Sequence, residues 1–299
     1  MNNNINFSRF FNVANIFSLS AVIVSIFFLF FKGLNYGVDF KGGTLLEIRI
    51  DNKNIQIQDI RASLNVPELG DVNVKQFGEQ GDFLIKFEKN ANENKKFITD
   101  LKNSISKKIS SVVNFRRVET VGPKVSSELL KQGITAIVLA LGAMLFYIWI
   151  RFEWQFSIGA IVALIHDVVI TLGIFSILSF EVNLSIVAAV LTIVGYSMND
   201  TVVIFDRIRE NLLKYSKLRT NEITDISVNE TLSRTVITSL TTLLALFSIF
   251  ILGGEILKGF SFAMILGVII GTYSSIYVAS PVLNYFKVTQ KTLLKDDDL

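Results

Sequence analysis

There is no cysteine among the 299 residues, so disulfides, thiol catalysis and cysteine-ligated metal centres are excluded. One histidine, His166, is too few for a histidine-rich metal site, and no cofactor site is visible either. Proline occurs three times, and Pro281 falls in the last hydrophobic run, where it should kink or end a helix. Neither HExxH nor GxSxG is present, which removes the motifs an intramembrane protease or hydrolase would need. The chain is therefore expected not to be an enzyme. The formal net charge is only +3, and its distribution matters more than its sign. No nucleic-acid partner is expected.

What the chain does have is apolar length. Six runs approach the ~20 residues that span a bilayer: Val13–Phe31, Gly133–Ile150, Phe156–Leu178, Leu184–Phe205, Thr235–Leu252 and Phe260–Phe286. A soluble protein has no use for six such runs, so the fold class is an α-helical polytopic membrane protein with six transmembrane helices. The last run is overlong, and is expected to tilt or pass the interface. The organisation reads as an N-terminus and first helix (1–34), an extramembrane domain (35–129), helices two to six (130–286) and a tail (287–299). The first run is longer than a signal-peptide core and no cleavage site follows it, so an uncleaved anchor is expected. Arg9, Arg151, Arg207, Arg209, Lys214, Lys217, Arg219, Lys287, Lys291 and Lys295 fall on one side; Glu181 and the Glu255/Lys258 pair fall on the other. The positive-inside rule then puts both termini and a 207–233 loop in the cytoplasm, with domain 35–129 on the far side of the membrane.

That domain shows two periods. Thr44–Ile50, Asp71–Gly78, Asp82–Lys89 and Ser111–Gly122 alternate like strands, the middle two joined as a hairpin through EQG. Ile55–Asn65 and Glu93–Ile109 read as helices, the second with an apolar stripe at Phe97, Leu101, Ile105 and Ile109. The order βαββαβ predicts a ferredoxin-like α+β domain. Its lysines (Lys95, Lys96, Lys107, Lys108) read as a solvated helix face, or as a contact surface for a partner or unfolded chain. The flanks NYGVDFKGGT (35–44) and VGPKVSSELL (121–130) contain Gly37, Gly42, Gly43 and Pro123. They are expected to be shaped linkers or a hinge. Asp39 is either an exposed turn residue or a polar group at the membrane mouth.

Charges inside the apolar runs carry the functional signal. Asp200 interrupts Leu184–Phe205, where a carboxylate costs about 2.5–3.5 kcal/mol on insertion scales, so a sequence that keeps it uses or pairs it. Arg234 heads the next run and is its expected partner. By helical rise Asp200 lies roughly 9 Å inside the boundary at Asp206. An acid and a base facing each other between helices can form a proton relay or a static ion pair. Asn199, His166, Asp167 and Thr238 are further candidates, as relay members or as polar helix contacts. His166 can titrate or simply hydrogen-bond, with Asp167 tied to whichever holds. The hydroxyls of the fifth run are packing and back-bonding residues, or line a water chain. Gly267, Gly271 and Ser275 form a small-residue face suited to close packing.

Six motifs now align in order: GVDFKGGT, VGPKVSSEL, RFEWQFSIGAIVALIHD, TIVGYSMNDTVVIFDRIREN, TLSRTVITSLTT and GFSFAMILGVIIGTYSSIYVASPVL. Together they resemble the SecF family of bacterial protein-export membrane proteins, of the proton-driven resistance-nodulation-division superfamily. Met198 is the one mild departure. The resemblance implies a proton-carrying role for Asp200 with Arg234 as its basic partner, and protons as the coupling ion. It implies SecD as partner subunit, association with the SecYEG channel and YajC, and a functional link to SecA. It also implies late-stage pulling of unfolded polypeptide across the bacterial cytoplasmic (inner) membrane, driven by the proton-motive force. The alternative is a half-unit of a proton-driven small-molecule or lipid exporter of the same superfamily; a domain of about 95 residues (35–129) is too small to hold a substrate tunnel alone.

Overall fold

A computed structural model of the chain describes residues 5–52, 55–64, 69–70, 72–76, 80–88, 95–109, 112–215 and 217–293. After a 3₁₀ turn at Phe7–Phe10, the elements are α1 (Phe11–Phe31), β1 (Asn35–Tyr36), α2 (Val38–Lys41), β2 (Gly43–Ile50), α3 (Ile57–Ser63), β3 (Val72–Gln76), β4 (Asp82–Phe87), α4 (Lys95–Ile109) and β5 (Val113–Val121). There follow α5 (Pro123–Arg151), α6 (Trp154–Leu178), β6 (Glu181–Val182), α7 (Leu184–Lys214), α8 (Thr220–Leu252), α9 (Gly254–Ser274), a π-helical turn (Ser275–Ala279), α10 (Ser280–Tyr285) and α11 (Gln290–Leu293). Six helical stretches are long and apolar enough to cross a membrane: Phe7–Phe31, Pro123–Arg151, Trp154–Leu178, Leu184–Lys214, Thr220–Leu252 and Leu257–Tyr285. In hydrocarbon only a helix satisfies its own backbone, which is why these runs are helical throughout.

The chain forms two compact units: residues 36–135 with 181–184, and residues 1–35, 136–180 and 185–299. In the smaller unit the antiparallel sheet runs β3-β4-β2-β5. Leu46 on the central β2 sits opposite Ile85 of β4 and Val118 of β5. Alternation puts Leu46, Ile48, Ile50, Phe83 and Ile85 into one core with Ile60, Leu64 and Ile105 from α3 and α4. This is the βαββαβ order that the periodicity predicts. Gly43 opens β2 at φ 114°, and a Cβ there would stand 2.5 Å from the Phe87 carbonyl, so only glycine fits. Phe77–Glu79 of the expected hairpin turn, residues 93–94, the side chains of Lys95, Lys96, Phe97 and Glu255, and Lys295 lie outside the described residues.

In the larger unit α6, α7 and the 257–285 stretch supply most of the buried residues, while α1 and α8 expose wide apolar faces. Close approach is set by small side chains. A Cβ on Gly267 would stand 2.2 Å from Ile193 Cγ1, and one on Gly271 2.9 Å from Ser197 Cβ, so the small-residue face of α9 lies directly on α7. On α6, Gly173 meets Ser25 of α1 in the same way, 2.3 Å from a would-be Cβ to Ser25 Cβ.

Three expectations are corrected. The segment 121–130 is not a linker: β5 ends at Val121 and α5 starts at Pro123, where a missing N–H costs a helix nothing. The 207–233 loop shrinks to residues 215–219, because α7 and α8 extend beyond their apolar runs as an antiparallel pair. Arg207 Nε donates to Glu230 Oε2 (2.6 Å), as does Asn211 Nδ2 (2.7 Å), which also donates to Ser227 Oγ at 3.0 Å. Finally, Pro281 does not end the sixth span. The Ser275–Ala279 turn widens to π geometry just before it, Ser280 Oγ donates to Ser275 O at 2.9 Å, and the helix runs on to Tyr285.

Candidate functional site

A polar layer crosses the larger unit at the level of α6 Asp167 and α7 Asp200. Each carboxylate sits within a largely apolar stretch of its helix, so lipid cannot solvate it and neighbouring helices must. Asp167 is fully buried, at 0% exposure. Its Oδ2 accepts from Ser197 Oγ of α7 at 2.5 Å and from Ser274 Oγ of α9 at 2.8 Å. Its Oδ1 lies 2.9 Å from Nδ1 of the adjoining His166. One carboxylate therefore ties three helices together.

His166 is buried as well. Its ring stacks against Tyr273 at 6.3 Å, and its Nε2 has no hydrogen-bond partner among the described residues. Tyr273 in turn donates to Ala14 O of α1 at 2.9 Å and lies 3.0 Å from Ser18 Oγ. The hydroxyls of Thr171 and Thr235 are also buried without a partner among the described residues.

Asp200 is equally buried, at 2% exposure, but it is held more loosely. Thr272 Oγ1 of α9 reaches its Oδ2 at 3.5 Å, the outer limit of a hydrogen bond, and the side chain of Asn199 also contacts it. Thr272 Oγ1 is shared with Ser239 Oγ of α8 at 2.8 Å. Of the two acids, Asp167 has its lone pairs committed, whereas Asp200 retains acceptor capacity. A carboxylate that can gain or lose a proton without dismantling three bonds is the better carrier.

Arg234 and Asp200 do not form an ion pair. The ion pairs of the larger unit among the described residues join Arg151 to Asp206, Arg207 to Glu210 and Glu230, Arg209 to Glu153, and Arg219 to Glu222. Arg234 is exposed, yet close enough to act electrostatically on Asp200. Because α8 starts at Thr220, Arg234 lies well inside the helix rather than at its head. Thr238 back-bonds to the carbonyls of Arg234 and Thr235, both at 3.0 Å, and stays apart from Asp200. Asn199 is exposed on α7. Sequence reasoning missed Thr272 and Ser274 as members of the layer, whereas Ser239 is among the fifth-run hydroxyls read as packing or water-lining. GTYSS at 271–275 carried the signal, four hydroxyl-bearing residues in a row after a glycine.

The proposed linker residues lie elsewhere, in the smaller unit. Gly37 N–H donates to Val182 O at 2.8 Å, and Asp39 Oδ2 accepts from the Leu184 N–H at 2.9 Å. Gly42 and Gly43 turn the chain into β2, and Pro123 starts α5.

Residues 101–289 match the family described as protein export membrane protein SecD/SecF, C-terminal, and residues 27–53 match the SecD/SecF GG motif. The chain is 42% identical over 281 residues to protein translocase subunit SecF of Rickettsia rickettsii, covering 94% of this chain and 91% of that one. It is 44% identical over 277 residues to protein translocase subunit SecF of Vibrio alginolyticus, covering 92% and 88%. Among solved structures it resembles SecDF from Thermus thermophilus, a translocon-associated membrane protein, with a TM-score of 0.86 and 35% identity. That match covers 96% of this chain and 39% of the SecDF chain. A structure of SecDF in a super-membrane-facing form gives a TM-score of 0.70 at the same coverage.

Proposed function

Because this chain belongs to the SecF family of protein translocase subunits and serves protein export as a multi-pass membrane protein, we propose that it couples the proton-motive force to a late stage of translocation. It does so with a SecD counterpart in the bacterial cytoplasmic membrane, both termini in the cytoplasm. The match to the Thermus SecDF structure, which covers 39% of that chain, supports a SecD counterpart. The SecYEG channel, YajC and, functionally, SecA are the further partners, and unfolded polypeptide is the cargo. Protons are the coupling ion and no cofactor takes part.

The observation that carries this reading is Asp200: a membrane-buried carboxylate with one long interhelical hydrogen bond, to Thr272, and near it Arg234, which has no ion pair among the described residues. Asp200 takes up and releases the proton. Arg234 is the basic partner, its approach or withdrawal deciding which form is favoured. One charge crossing 100 mV is worth about 2.3 kcal/mol, and each pH unit across the membrane adds about 1.36 kcal/mol. That suffices to bias a conformational equilibrium of a few kcal/mol. Asp200→Asn should abolish proton-dependent late translocation in vesicles while SecD still copurifies. Normal export by that variant refutes the relay.

A further inference from the structure

Within the smaller unit, three contacts bind domain residues to the short stretch that feeds α7. Gly37 N–H donates to the Val182 carbonyl at 2.8 Å. Lys86 of β4 forms an ion pair with Glu181. Asp39 Oδ2 accepts from the N–H of Leu184 at 2.9 Å, and Leu184 is the first residue of α7. The fit is tight, since a Cβ on Gly37 would stand 2.5 Å from Glu181 Oε1. A side chain 145 residues away thus does for α7 what an N-cap normally does from next door. It satisfies one of the orphan N–H groups and places negative charge at the positive end of the helix dipole. Residues 181–184 accordingly belong to the same compact unit as the domain, although α7 continues through the membrane to Lys214.

We propose that Gly37, Asp39 and the Lys86–Glu181 pair form a permanent clamp that fixes the small domain to the head of α7, so that displacement of the domain is delivered to the helix carrying Asp200. Asp39 is then a positioning residue for the proton step. Leu184 and Asp200 are separated by roughly 24 Å of continuous helix at 1.5 Å per residue, and a helix of that length transmits a push or a rotation as a stiff rod. The clamp does not open during the cycle; it is the joint through which the cycle acts. This rests on the reading of Asp200 given above.

The absence of cysteine makes the test direct. Lys86→Cys with Glu181→Cys places the only two thiols in the chain, and a short rigid bismaleimide joins them across the site of the ion pair. In vesicles containing the assembled complex, the cross-linked protein should keep proton-dependent export within about twofold of the uncross-linked pair. Asp39→Ala should lower export about five- to tenfold, the ratio that loss of a typical N-cap corresponds to. Asp39→Asn keeps a side-chain carbonyl for Leu184 and should restore most of it. Asp200→Asn is measured alongside. If that variant exports normally, the relay reading fails whatever the clamp does. If it is inactive while Asp39→Ala exports like the parent, the clamp is refuted. Loss of export on cross-linking also refutes it, because the segment would then have to open. Should Asp39→Ala not accumulate, the cross-linked and uncross-linked arms decide alone.

Discussion

Asp167→Ala tests whether the polar layer is held by acceptor geometry. The wild-type carboxylate is fully buried and meets Ser197 Oγ at 2.5 Å, Ser274 Oγ at 2.8 Å and His166 Nδ1 at 2.9 Å. Interhelical hydrogen bonds in membranes average about 0.6 kcal/mol and reach about 1.7. Two of them, from Ser197 and Ser274, lost together come to roughly 1–3 kcal/mol, the His166 contact lying within α6. Ser274 has a fallback, since its hydroxyl already reaches Gly271 O at 3.1 Å, so the lower half of that range is expected. Asp167→Asn keeps a carbonyl that can accept from both serines and should cost no more than about 1 kcal/mol. The assay is reversible unfolding of the purified protein in mixed micelles of rising denaturing-detergent fraction, followed by helix content. An alanine variant within about 0.5 kcal/mol of the parent refutes the argument. So does an asparagine variant as unstable as alanine, because charge rather than acceptor placement would then hold the layer. Asp200→Asn in the same assay should shift stability by less than about 1 kcal/mol, since its one interhelical bond is a 3.5 Å contact with Thr272.

Lys86 should titrate far below an ordinary lysine. Burial, with Lys75 and Lys41 as neighbouring cations, pulls its ammonium from 10.5 to about 8 against the opposing pull of Asp39. Between those values the unfolded chain holds a proton that the folded one has released, so this group's contribution to stability rises with pH there, while its ion pair with Glu181 dissolves. The rate of amine acylation at Lys86 should therefore show a midpoint near 8, moved lower still by Asp39→Asn; a midpoint near 10.5 contradicts this. Gly173→Ala should destabilise by about 1–3 kcal/mol through collision with Ser25 of α1. Gly142→Ala, which meets nothing within 4 Å, should be neutral or slightly stabilising in the same unfolding assay.

The division between what could be read and what could not follows particular elements. Alternation over Thr44–Ile50 and Asp82–Lys89 made the strands legible, because one face of that sheet packs Leu46, Ile48, Phe83 and Ile85 against α3 and α4. Asp200 and Asp167 were conspicuous because carboxylates are rare in such runs. The boundaries failed for physical reasons. Hydropathy ends where apolar residues end, but α7 and α8 continue for as long as Arg207, Asn211 and Glu230 can bond across them. Pro281 leaves a kink or an end open, and the helix runs on through it after a π turn.

Sequence alone determined the membrane class, the six spans, the βαββαβ order and the identity of the buried acids, since each rests on local length, period or composition. Tertiary structure decided which hydroxyls those acids meet, that Arg234 stands apart from Asp200, and that Asp39 caps α7. In helices that are apolar nearly all the way round, no periodic stripe marks the inward face. Partners are chosen when helices approach through glycine and serine contacts such as Gly271 on Ser197, and that approach is a property of the packed bundle.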